Sequence, residues 1–102
     1  MKNIRSQGDV TFIPVENVKR GQKIADGVIA RGEVTGHCHA IADLARAELY
    51  QCEDGMYMEV GEKGVSITHQ EHGTVVLEPG KYRINIDKQY DYFSQALRNV
   101  AD

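Results

Sequence analysis

All four histidines of this 102-residue chain stand in two short pairs. His37 and His39 lie in GEVTGHCHAI (32–41), and His69 and His72 lie in SITHQEHGTV (66–75). Imidazole binds metal through a neutral ring nitrogen, so paired histidines raise the question of a shared ion. In a strand, successive side chains alternate faces, and an H-x-H step puts both rings on the same side. Cys38, between them, would face the other way, which argues against it as a third ligand. Val65, Ile67 and His69 alternate onto one face, so His69 extends an apolar stripe. His72 would face away in a regular strand, but Gly73 follows it, and a turn there can bring both rings to one side. His39 and His69 are 30 residues apart and can meet only through the fold.

Three or four imidazoles suit a divalent first-row metal such as Zn, Fe, Ni or Cu. Neutral ligands leave the ion's charge uncompensated, so a carboxylate is expected nearby, and Glu33, Asp43 and Glu71 are the candidates. Glu71, between His69 and His72, is also the candidate catalytic residue, as general base toward a metal-bound water. The competing reading takes the four histidines as hydrogen-bonded core or surface residues without an ion. Cys38 invites a Cys-His nucleophile, yet strand alternation turns its neighbours away from it, and buried free thiols describe both Cys38 and Cys52. The dispersed glycines form neither a P-loop nor a dinucleotide-binding fingerprint. Tyr50, Tyr57, Tyr82, Tyr90 and Tyr92 fit a half-buried β core better than a designed pocket.

The elements that must position these residues read as mainly β. VTFIPV (10–15) is rich in strand formers, and Pro14 marks an edge or a strand end. Asp26-Gly27 in IADGVIA (24–30) is a hairpin signal, as is Asp54-Gly55, which would place Met56, Met58 and Val60 on one face. Folding GTVVLEPGKYRINI at Pro79-Gly80 would set Leu77 opposite Tyr82 and Val75 opposite Ile84. The alanine-rich HAIADLARAEL spaces Ile41, Leu44, Ala45, Glu48 and Leu49 for a short helix over 41–46, and a second could run from Ser94. The expectation is a small antiparallel β-barrel or β-sandwich, cupin-like at most, with one or two short helical pieces. A single domain, 1–102, is expected.

Composition narrows the partners. With 12 Lys+Arg against 15 Asp+Glu, the net charge of −3 disfavours nucleic acid. No apolar run reaches membrane-spanning length and the first residues lack a signal-peptide block, so a cytoplasmic chain with no membrane partner is expected. Short edge strands allow a homodimer, in which pairing would cover them.

GEVTGHCHAI, THQEHGTVVLEPGKYRI, the opening QGDVTFIPV and the closing RNVAD together resemble a group of small uncharacterised bacterial and phage-encoded proteins. That group carries G-E-V-T-G-H-x-H, T-H-x-E-H and P-G-x-Y-R-[VI] motifs. This chain departs from it at DKQYDYF, where a QREY-like run is expected. The resemblance implies a shared site at His37, His39, His69 and His72 and a bacterial or phage setting. Cupins offer a looser analogy, since Asp43 follows His39 near where a cupin glutamate stands. Their proline-glycine turn precedes the last histidine, however, whereas here Pro79-Gly80 follows it. The leading expectation is a metal-binding β protein with a histidine site. The alternative is a non-catalytic module that binds a host protein or small metabolite.

Overall fold

The computed structural model describes residues 3–31 and 36–87, which form ten strands and no helix. The strands are β1 (Arg5–Gln7), β2 (Val10–Val15), β3 (Gln22–Lys23), β4 (Val28–Arg31), β5 (Cys38–Ile41), β6 (Ala47–Cys52), β7 (Gly55–Val60), β8 (Val65–Thr68), β9 (Val75–Leu77) and β10 (Gly80–Ile86). They make two antiparallel sheets, one of six strands in the order β1-β2-β10-β7-β6-β3 and one of four in the order β4-β5-β8-β9. Neither sheet closes into a barrel, which corrects that part of the expectation. None of the described residues forms a helix long and apolar enough to cross a membrane.

Alternation explains which residues go inside. Val10 and Phe12 on β2, Met58 and Val60 on β7, and Tyr82 and Ile84 on β10 are buried. Ile41, Val65, Ile67 and Leu77 from the smaller sheet join them in one apolar cluster. Each such side chain contributes about 1.5–3 kcal/mol by leaving water. Pro14 lies opposite Tyr82 of β10, beyond the reach of β1, which pairs only with Val10–Phe12. Its missing N–H therefore breaks no ladder bond on the other side. The β6–β7 hairpin forms as expected, with Cys52 opposite Gly55 and with Met56, Met58 and Val60 buried.

Two other hairpin expectations are overturned. At Asp26-Gly27 the chain does not fold back. It leaves β3, which pairs with β6, and enters β4 of the other sheet, while Asp26 Oδ1 accepts from the Val28 N–H at 3.0 Å. At Pro79-Gly80 the chain again changes sheets, since β9 pairs with β8 and β10 pairs with β2 and β7. The Tyr82 hydroxyl donates to the Glu78 carbonyl at 2.7 Å across that corner. Leu77 and Tyr82 are both buried, but in different sheets.

The helix expected over 41–46 is also absent. Ile41 ends β5 and Ala47 begins β6, leaving a short connection that the Asp43 side chain organises by accepting from the Ala45 N–H at 3.0 Å. The Asp43 carbonyl accepts from Arg46 N–H at 3.1 Å, closing one turn. So short a segment cannot offset the cost of helix nucleation, and pairing of its flanks into sheets wins. The second expected helix, from Ser94, lies outside the described residues.

Candidate metal centre at the histidine corner

The two histidine pairs meet at one corner, where β1 of the larger sheet approaches β5 and β8 of the smaller one. The ring centroids of His39 and His69 are 4.4 Å apart, those of His69 and His72 4.6 Å, and those of His39 and His72 5.9 Å. His37 lies 5.9 Å from His69, edge to face. The corner is graded in depth: His39 is buried, His37 and His69 are half-buried, and His72 is exposed. His37 and His39 flank the start of β5 as an H-x-H step requires, and the turn after Thr68 brings His72 beside His69.

That turn has a specific cause. Nδ1 of His69 accepts from the backbone N–H of Glu71 at 3.0 Å and of His72 at 3.2 Å. The ring thus caps the turn as an Asx side chain would. Gln70 Oε1 accepts from the Cys38 N–H at 2.8 Å, tying the same turn to β5. His69 spends its Nδ1 lone pair on the backbone, so its hydrogen sits on Nε2 when the ring is neutral. An ion could take His69 Nε2 only if that hydrogen moved and the turn lost its acceptor.

The deepest part of the corner is built on Gln7, the last residue of β1, which is only 2% exposed. Its amide nitrogen donates to the carbonyls of Ile67 at 2.8 Å and Gly73 at 2.9 Å. Both bonds need the NH2 group, so the amide oxygen is the atom 2.8 Å from His39 Nδ1. An amide oxygen only accepts, and His39 Nδ1 therefore carries a hydrogen. Nε2 of His39 faces Asp9, with Oδ1 3.4 Å away. Burial, with His69 and then His72 opposing a second charge, lowers the pKa of His39 from 6.5, although Asp9 pulls it the other way. The neutral ring is thus the favoured form near neutral pH.

Sequence reasoning missed Gln7, Gly8 and Asp9. The signal for the turn was present: Gly8-Asp9 joins β1 to β2 as a two-residue hairpin with Gln7 opposite Val10, and Gly8 has φ of +57°. A Cβ at Gly8 would stand 2.6 Å from His72 Nε2, so that ring edge rests on bare backbone. Nothing in the sequence marks Gln7 as buried.

Of the expected carboxylates, Glu71 is exposed and its Oε1 lies 3.6 Å from His37 Nδ1. Asp43 instead serves the β5–β6 turn, where it also meets Arg46 Nε at 3.4 Å. Glu33 lies outside the described residues. The Cys38 and Cys52 thiols are free, as expected, but only half-buried. Among the described residues, no group of three or more His, Cys, Asp and Glu side chains already stands as a ready ion-holding set.

No curated protein and no solved structure matches the chain. Residues 6–87, which contain the whole histidine corner, match the family described as a domain of unknown function (DUF8820), and the chain belongs to that family.

Proposed function

We propose that the histidine corner binds a divalent first-row metal, zinc, iron or nickel, through the imidazoles of His37, His39 and His72, with His69 bracing the turn that carries His72. The observation that carries this reading is the convergence of four rings on one corner, with centroids 4.4–5.9 Å apart along the chain of contacts. Two imidazoles on one tetrahedral ion, with nitrogens about 2.0–2.1 Å from it, have centroids roughly 5 Å apart. The His39 and His72 centroids, 5.9 Å apart, stand close to that spacing. The hydrogen on His39 Nδ1, held by Gln7, supports the reading because it leaves Nε2 as the ligand atom and mimics the outer-sphere bonds of known metal histidines.

Three protein ligands leave a coordination position for water or substrate, the arrangement of a catalytic rather than a structural ion. Glu71, beside His37 and open to solvent, is placed to take a proton from a group held there. On this reading Glu71→Gln keeps the metal and loses turnover.

The test is elemental analysis of tag-free protein purified without added metal or chelator. The expected result is near-stoichiometric first-row metal that disappears in the His37→Ala/His39→Ala double variant. Protein that is empty and also fails to take up zinc, iron or nickel would sink the metal reading and favour a metal-free binding module.

A further inference from the structure

We infer that Asp9, from the β1–β2 turn, is a direct metal ligand paired with His39, so that the ion sits between His39 Nε2 and Asp9 Oδ1; this rests on the metal reading above. Gln7 commits His39 Nδ1 as a donor at 2.8 Å, which leaves a lone pair on Nε2 of the neutral ring. That lone pair faces a carboxylate oxygen 3.4 Å away. Two acceptors turned toward each other repel unless a cation stands between them.

A proton and a metal ion are the two cations that could fill the gap. A charge-assisted N–H···O bond to a carboxylate runs about 2.7–2.9 Å. Two ligand atoms on a tetrahedral ion, each about 2.0–2.1 Å from it, stand roughly 3.3–3.4 Å apart. The observed 3.4 Å is longer than the first spacing and leaves room for the second. Coordination by the carboxylate also supplies the negative charge that imidazoles lack.

The turn is built to hold Asp9 in place. Asp9 O accepts from the Asp87 N–H at 2.8 Å, pinning the turn to the end of β10. Gly8 keeps the space above its Cα clear for the His72 ring, whose Nε2 edge lies against the same turn. His39, Asp9 and His72 thus reach one place from β5, from the β1–β2 turn and from the loop after β8. His37 stands further out, beside Glu71, so on this assignment Asp9 takes the third ligand position in its place and one position stays open.

The experiment is calorimetric zinc titration of the wild-type chain, Asp9→Asn and Glu71→Gln, with cobalt-loaded visible spectra of each. Asparagine keeps the shape of Asp9, so urea midpoints of the apo variants are expected to match the wild type. Asp9→Asn is expected to weaken zinc binding by at least about tenfold and to change the cobalt spectrum; Glu71→Gln is expected to do neither. Wild-type zinc affinity and an unchanged cobalt spectrum in Asp9→Asn would overturn the assignment of Asp9 while leaving the histidine reading standing. A wild-type chain that binds neither ion would overturn both, and would assign the gap to a proton. Should Asp9→Asn fail to fold, Asp9→Glu takes its place: a ligand moved outward by one methylene is expected to retain zinc with a shifted cobalt spectrum, and an unshifted spectrum counts against Asp9.

Discussion

Two polar clusters join segments that are distant in sequence, and they differ in what surrounds them. Along the β6–β7 hairpin, Lys19 meets Asp54 at 2.8 Å and Arg20 grips both oxygens of Glu59 at 3.0 Å. These pairs are geometrically good and face water, which screens them and competes for every bond. At the histidine corner, Gln7 and His39 make a bond of the same 2.8 Å, but Gln7 is 2% and His39 4% exposed. There water cannot replace a lost partner. The lesson is that burial rather than distance sets what a contact is worth: the exposed cluster decorates the sheet, and the buried one defines the corner.

The sharpest way to break this contrast is Gln7→Leu. It leaves the Ile67 carbonyl and the His39 Nδ1–H without their partner, and about 2–4 kcal/mol of stability is expected to go, read as a fall in urea midpoint. Gly8→Ala comes next. Its φ of +57° strains any side chain, and the new methyl meets the His72 ring at 2.6 Å. A loss of about 1–2 kcal/mol is expected, with a displaced His72 resonance in NMR spectra.

A smaller effect follows from protonation. The pKa of His39 is lower in the folded chain than its ordinary 6.5, so the unfolded chain binds the proton more readily. Stability is then fully present above about pH 6.5 and is lost as pH falls toward and through the folded value. Burial sets this first, then the charges of His69, Asp9 and His72, with Asp9 opposing the rest. Urea midpoints measured between pH 8 and pH 5 are expected to fall in the wild type and to fall less in His39→Gln. The smallest effect belongs to the exposed cluster: Lys19→Ala and Arg20→Ala are expected to leave the urea midpoint unchanged in high salt. A large loss from either would show that exposure does not separate the two clusters.

The sequence patterns foretold the strands far better than their partners. Alternation at Val10 and Phe12, or at Tyr82 and Ile84, reports burial directly, because a strand has only two faces; on β7 both faces are covered and Tyr57 is buried between Met56 and Met58. It does not report which strand lies alongside. Leu77 and Tyr82 alternate as a hairpin would, yet they belong to different sheets, and Asp26-Gly27 turns the chain between sheets in the same way. The alanines of 40–47 carry helical spacing, but Asp43 and the pairing of both flanks override a weak local preference.

The site was legible in half. H-x-H and H-x-x-H mark four residues that the fold brings to one corner, since their types and spacing are local properties. That His69 caps its own turn, and that Gln7 sets the hydrogen on a ring 32 positions away, are properties of the fold alone. Asp9 was overlooked because its neighbours in sequence hold no histidine. Its hairpin, Gly8-Asp9, was nonetheless written in the chain.

The most direct test of the account is long-range proton–nitrogen NMR of the imidazoles, recorded on the apo chain and again with saturating zinc. The apo spectrum is expected to show His39 with hydrogen on Nδ1 and His69 with hydrogen on Nε2. Zinc is expected to shift His39 Nε2 and leave His69 Nδ1 where it was. Hydrogen on His39 Nε2, or a His39 ring indifferent to saturating zinc, would contradict the claim that this corner is built to hold a metal.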